Sequence, residues 1–337
     1  MQCREFRLIF TFGWYIIFLV IGMDYETCEV VFDSSNRLNQ VHGRILIPED
    51  REHLKGSVQF SHGMCEYFDK YQEFYEFMLS NGYVVCGHDH IGHGDSVISE
   101  EERGFFASKD GYKYLVEDVY QMTKIVKKKF PYLQCFLLGH SMGSFIARCY
   151  AAKYGDRIDG LLLCGTMGPQ WAADGGIQMA DRIIRKKGPL YRSKKLDRLS
   201  FEFANANFEP IKTRYDWTCS NEEAILRHMK DKKSDFIFTA SGFKDLFYLV
   251  KLCNDEKFIK NTPKNLPILL FSGDMDPVGE NGIGVKRVAE LYKKIGVKEV
   301  EVKLYQDKRH EMLNEVNREE VYRDILNWLE VIRFGEE

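Results

Sequence analysis

The chain has 337 residues with 45% hydrophobic content, enough for one large core with room for a smaller unit inserted into it. Its 47 basic and 50 acidic residues leave a formal net charge of −3, a balance that argues against a nucleic-acid backbone as partner. The nine cysteines form no Cys-x-x-Cys pair and are odd in number, which points to reduced, mostly buried thiols in a reducing, cytoplasmic setting.

The amino-terminal stretch 8–23 is strongly apolar and follows Arg4 and Arg7, in the manner of a membrane-targeting segment. It is shorter than the roughly 20 apolar residues that cross a bilayer comfortably. Val20-Ile21-Gly22-Met23 also supplies a poor signal-cleavage site. The reading favoured over an anchor is an over-long start, with the soluble protein opening at Met23-Asp24-Tyr25-Glu26, so residues 1–23 are set apart from the rest.

From Tyr25 onward, short β-rich runs alternate with helix-length segments. Strands are predicted at 26–32, 40–47, 56–61, 84–87, 135–138 and 160–164, with helices at 70–79, 111–129 and 141–154 between them. After Gly165 the rhythm stops, and 168–261 reads as a charged, aromatic, helical cap. It resumes with a strand at 267–272, a helix near 285–295, a strand at 300–305 and a last helix at 315–332. The expectation is an α/β fold: a doubly wound, mostly parallel eight-stranded sheet, built from 24–167 and 262–337 and interrupted by the helical insertion.

Gly139-His140-Ser141-Met142-Gly143 lies directly after an apolar strand and directly before an amphipathic helix, the setting a nucleophile elbow requires. The flanking Gly139 and Gly143 remove side chains that would clash in so tight a turn, and Ser141 is held at the sheet edge as the candidate nucleophile. In such an arrangement the acid and then the histidine follow the serine along the chain. Only His228 and His310 remain after Ser141, and His310 sits where the final strand hands over to the last helix; His228 reads as solvated surface. Of the two aspartates past the 267–272 strand, Asp276 is chosen because Pro277 restrains its backbone, leaving Asp274 to stabilise the loop. The oxyanion donors are expected to be the backbone N–H groups of Met64, after His62-Gly63, and of Met142.

Together these residues resemble the monoacylglycerol lipase, lysophospholipase and serine aminopeptidase group of α/β-hydrolases. The resemblance runs from about Met23 to the end, on His62-Gly63-Met64 with Glu66, Asp89-His90-Ile91-Gly92-His93-Gly94-Asp95-Ser96, the elbow, Ser272-Gly273 with Asp276-Pro277-Val278-Gly279, and Arg309-His310-Glu311 with Asn314-Glu315. It implies a carboxylic ester hydrolase that needs no metal or cofactor and acts on single-chain lipid esters beneath a lid. An aminopeptidase or small-molecule esterase on the same triad is the alternative, with an acyltransferase or a non-catalytic binding protein more remote. The cap matches the group only around Phe208-Glu209-Pro210 and Tyr215-Asp216-Trp217.

His88-Asp89-His90 with His93 and Asp95 invites a metal-hydrolase reading, but the order departs from the His-x-His-x-Asp-His pattern, and a tight loop is favoured. Eight cations between Arg182 and Arg198, interleaved with Ile183, Ile184, Leu190 and Leu196, read as a solvated face, with transient contact to an anionic membrane as the functional alternative. Phe201, Phe203, Phe208, Trp217, Phe236, Phe238, Phe243 and Phe247 exceed what sealing the cap requires, and the surplus is assigned to an acyl-binding channel.

Overall fold

The strands at the centre of this chain are buried at every position, which happens only when both faces of their sheet are covered. The computed structural model describes residues 6–12, 15–23, 25–170, 172–202 and 204–335, with side chains from residue 25 onward. Its strands are β1 (Phe6–Phe12), β2 (Tyr15–Met23), β3 (Tyr25–Asp33), β4 (Gln40–Pro48), β5 (Gly56–Ser61), β6 (Tyr83–His88), β7 (Cys135–His140), β8 (Gly160–Cys164), β9 (Ile268–Gly273) and β10 (Val300–Tyr305). They form one sheet in the order β1-β2-β3-β4-β6-β5-β7-β8-β9-β10. The pairs from β1 to β6 are antiparallel, and those from β6 through β5 to β10 are parallel.

Alternation splits each central strand between two cores. In β7, Cys135 and Leu137 join one cluster and Phe136 and Leu138 the other; in β8, Leu161 and Leu163 oppose Leu162 and Cys164. The first cluster takes in α2 (Gly111–Lys129), α3 (Met142–Tyr154) and α9 (Ile283–Lys294), and the second takes in α1 (Gln72–Ser80) and α10 (Arg318–Phe334). This is the doubly wound arrangement, and the eight expected strands are β3 to β10.

The apolar amino-terminal stretch adds two more. The sequence reading of that stretch contains no strands, yet β1 and β2 pair as an antiparallel hairpin, and β2 pairs with β3 from Tyr15↔Phe32 to Met23↔Tyr25. Runs of seven and nine residues rich in β-branched and aromatic types suit a pleated surface better than a helix. Residues 1–5, 13, 14 and 24 of that stretch lie outside the described residues. Among the described residues no helix is long and apolar enough to cross a membrane.

Between β8 and β9 the chain leaves the sheet for α4 (Ala172–Lys187), α5 (Lys194–Phe201), α6 (Glu222–Lys230), α7 (Ala240–Cys253) and α8 (Glu256–Ile259). The α7 helix packs on α3 and α2, and its Phe243, Leu246, Leu249, Val250 and Cys253 belong to the first core cluster. Arg148 of α3, fully buried, donates to the Met167 carbonyl at 2.9 Å and to Asn254 Oδ1 at 2.7 Å, pinning the start and the end of the excursion to the same helix. The eight described cysteines are free and buried.

Candidate active site

The parallel strands deliver the chemistry-bearing residues to one edge, since Ser61, His88, His140, Cys164, Gly273 and Tyr305 each stand at the carboxyl end of a strand. At the end of β7, Ser141 adopts φ 50° and ψ −120°, a strained conformation for a residue with a side chain. Its neighbours leave no choice. A Cβ on Gly139 would lie 2.4 Å from the Gly143 carbonyl oxygen, and one on Gly143 would lie 1.9 Å from that of Ser61. The Ser141 N–H donates to Cys164 O at 2.9 Å, and both the N–H and the hydroxyl of Ser144 donate to Ser141 O. These bonds fix the strained turn.

Beyond β9, Asp276 is fully buried and accepts from the Ser272 hydroxyl at 2.7 Å and the Val278 N–H at 2.9 Å. His310, in the loop after β10, places Nδ1 3.0 Å from both carboxylate oxygens of Asp276. Burial works against a charge on Asp276, but His310, Ser272 and Val278 outweigh it and hold the carboxyl below the usual range. Asp274 is half-buried and accepts from the Asp307 N–H at 2.8 Å, joining two loops away from the histidine. With Nδ1 committed to the acid, His310 keeps Nε2 buried and without a hydrogen-bond partner.

Three residues fix the ring of His310. His140 approaches at 5.0 Å and Trp217 at 5.1 Å between ring centroids. Gly165, at φ +60°, lies beneath, where a Cβ would come 2.8 Å from Cε1 and 2.9 Å from Nδ1. No motif in the sequence marks Gly165; its position directly after β8, next to the Cys164 carbonyl that accepts the Ser141 N–H, is the signal that could have found it.

The loop after β5 is braced from both sides. His62 accepts the His90 N–H at Nε2, 2.9 Å away, so its proton sits on Nδ1 and is donated to Gly63 O at 2.8 Å. In a trans peptide the N–H points opposite the carbonyl, so holding Gly63 O aims the Met64 N–H the other way. The N–H of Met142, first residue of α3, has no acceptor within its own helix. On the other side, Gly63 N–H donates to Glu66 Oε2 at 2.6 Å.

Glu66 also meets His140 Nδ1 at 3.2 Å, a nitrogen that Tyr71 OH approaches at 2.9 Å. Lys70 joins this buried group, 3.4 Å from Glu66, 3.0 Å from Glu311 and 3.1 Å from Nδ1 of His228. His228 is therefore no solvated surface residue. The amphipathic turn of α6 brings it inward onto Lys70, and burial followed by the lysine charge pushes its pKa down to about 4.

The histidines after β6 serve the loop. Asp89 accepts from the Phe68 and Asp95 N–H groups, both at 2.8 Å, and His90 Nε2 meets the Ser61 hydroxyl at 3.0 Å. Among the described residues no group of three or more histidine, cysteine or acidic side chains is arranged to hold a metal ion.

Residues 52–317 match the model of the family described as serine aminopeptidase, S33. The chain belongs to that family. It is 26% identical to the monoglyceride lipase of Homo sapiens over 282 residues, 82% of each chain. It is 27% identical to the monoglyceride lipase homolog of Monkeypox virus over 279 residues, 82% of this chain and 89% of that one. A highly thermostable carboxyl esterase from Bacillus coagulans, crystallised with glycerol, superposes with a TM-score of 0.84 at 29% identity, covering 91% of this chain and 99% of that one. The chain is an α/β-hydrolase enzyme with ester hydrolases among its relatives.

Proposed function

We propose that this family member cleaves carboxylic esters of single-chain lipids, of the monoacylglycerol or lysophospholipid type, through Ser141, His310 and Asp276. The observation that carries the reading is the buried His310, bonded through Nδ1 to buried Asp276 and left with Nε2 as its open basic nitrogen. His310 Nε2 takes the hydroxyl proton of Ser141 as its oxygen attacks the ester carbonyl. The N–H groups of Met64 and Met142 hold the negative oxygen that forms, at the positive end of α3. As the C–O bond to the alcohol breaks, His310 returns the proton to the leaving oxygen. Water then repeats the sequence on the acyl-enzyme, with His310 as base, and releases the acid and Ser141.

Residues 168–261 act as the cap over this site. Phe201 stacks on Trp217 at 5.7 Å, and Trp217 lies against His310, so these two begin the surface that meets the acyl chain. Phe238 and Phe243 are fully buried against the core, the half-buried Phe236 and Phe247 pack beside them, and the four serve as the seal. Phe203 lies outside the described residues. Around the α4–α5 connection, Leu190, Tyr191 and Leu199 are exposed among Lys186, Lys187, Lys194 and Lys195, which supports a transient contact with an anionic lipid surface.

The test is hydrolysis of p-nitrophenyl esters from short to long acyl chains beside a monoacylglycerol, a lysophospholipid and an aminoacyl-nitroanilide, with Ser141→Ala as blank. Preference for long acyl chains, lost in the blank, is the expected result. Activity confined to short esters or to the anilide overturns the lipid assignment, and full activity in a folded Ser141→Ala overturns the triad.

A further inference from the structure

The residues on either side of His310 are both bonded to one short segment of the insertion, 216–221. Glu311 N–H donates to Thr218 O at 2.6 Å. Arg309 sends its guanidinium to the carbonyl of Cys219 at 3.1 Å and to that of Asp216, and its own N–H donates to Glu315 Oε1 at 2.9 Å. Glu315 then closes the loop of contacts, because its Oε2 accepts the Ser220 N–H at 3.1 Å and the Ser220 hydroxyl. Asn221 donates its side-chain amide to Asn314 O at 3.1 Å.

Nearly all of this lies out of water. Glu315 and Cys219 are fully buried, and Glu311, Asp216 and Thr218 are buried as well. Swinging the segment away would break these six bonds to the histidine loop at once and release Arg309 and Glu311 from the partners that hold them. The same segment lays Trp217 against the His310 ring, and Asn205 secures it from behind by accepting the Trp217 N–H at 2.8 Å.

We propose that segment 216–221 is a fixed positioning element for the general base, with Glu315 as its clasp, and that it stays docked when the rest of the insertion moves to admit substrate. This rests on the reading of His310 as the base. Glu315 touches no reacting atom in that scheme; it acts through Arg309 and Ser220 on where His310 stands. Reacting groups tolerate little misplacement, and an error of about 1 Å costs about a hundred-fold in rate. Opening of the cap is therefore confined to the parts outside the clasp, and a lid that moved as one body would dismantle the triad each time it opened.

The experiment compares Ser220→Ala, Glu315→Gln and the double variant in the full chain. It measures kcat and KM on a p-nitrophenyl ester and the rate at which a small fluorophosphonate labels Ser141, a reaction that needs the base but little of the cap's binding surface. Positioning predicts that Glu315→Gln lowers kcat about ten- to a hundred-fold with KM little changed. The labelling rate falls in proportion, and the double variant adds little to Glu315→Gln. Ser220→Ala removes a single hydroxyl and tests the same point if Glu315→Gln does not fold, with a smaller loss of the same kind. A raised KM with kcat and labelling unchanged overturns the proposal, since the segment would then only shape binding. Failure of the triad reading is visible separately: wild-type chain would not be labelled at Ser141, or His310→Ala would be labelled as fast as wild type.

Discussion

Glu66 and His140 form a pair with Oε2 3.2 Å from Nδ1, and both side chains are almost entirely excluded from solvent. Burial opposes a charge on either partner, but their mutual attraction, with Lys70 assisting Glu66, prevails. His140 is raised above the ordinary histidine value and Glu66 is held well below the ordinary glutamate value. Because Glu66 also accepts the Gly63 N–H, this pair ties the strained turn at Ser141 to the loop after β5, where the proposed oxyanion donor Met64 lies.

Glu66→Gln should therefore destabilise the fold by about 3 kcal/mol near pH 6, the usual cost of stripping one partner from a buried pair. The pair contributes fully between the ordinary glutamate and histidine values, about pH 4.5 to 6.5. That contribution is lost as pH rises through the raised His140 value, or falls through the lowered Glu66 value. Urea unfolding at pH 6 and pH 9 checks this: the gap between wild type and variant should narrow at pH 9, and a constant gap would rule out a charged His140.

Asp276→Asn should lower kcat by about 10⁴, since an amide cannot hold the proton on His310 Nδ1 as the carboxylate does. Asp274→Asn removes charge from a half-buried group whose bond is to the Asp307 N–H, which an amide oxygen also accepts. Its activity should stay within a few-fold of wild type. Equal losses in the two variants would reverse the assignment.

Gly165→Ala should harm activity more than folding. The new methyl would meet the edge of the His310 imidazole, which can tilt aside, at a cost of about 1–2 kcal/mol for the positive φ. A displaced base predicts a kcat reduced at least about ten-fold with a chain that still unfolds cooperatively. Gly143→Ala is the contrast, because its methyl would meet the Ser61 carbonyl, a backbone atom that cannot step away. Little folded protein is expected from it, as circular dichroism of the purified chain would show.

His228 gives the acid side of the stability profile. It is held neutral, with a pKa pushed down to about 4, while the unfolded chain titrates near 6.5. Its contribution is whole above the unfolded value and is lost as pH falls through about 4, where a charged imidazole would face Lys70. His228→Gln keeps an acceptor for Lys70 and does not titrate, so its Tm should fall less than that of wild type between pH 7 and pH 4.5. Parallel Tm curves would exclude this residue as a source of acid sensitivity.

The parts of this molecule governed by local pattern were open to sequence reasoning. The eight central strands and the helices between them fall within a few residues of their predicted bounds, because Val84, Cys86, Leu137 and Leu161 sit in runs that only a two-faced sheet can bury. The elbow was equally legible, since strand, glycine, serine, glycine and helix follow one another without a gap. Other features were not. The apolar amino-terminal runs carry the same composition whether they span, sit at an edge or pair as a hairpin, and partner β3 decides among these. His228 reads as solvated because it sits in a charged helical stretch, beside Arg227 and Lys230, while the contact that buries it comes from Lys70, 158 residues away.

By itself, the sequence determined the doubly wound sheet, the strained turn at Ser141 and the order in which the proposed Ser141, Asp276 and His310 arrive, because each follows from periodicity, turn sterics and chain direction. Only the tertiary structure decided how Asp276, the aspartate that Pro277 already favoured, meets His310 through both carboxylate oxygens, that Gly165 and Trp217 frame the ring, and that Glu315 clasps the histidine loop to the insertion. Those relationships depend on where separate strand ends and loops come to rest against one another. Burial then makes each polar contact matter, by removing the water that would otherwise replace it.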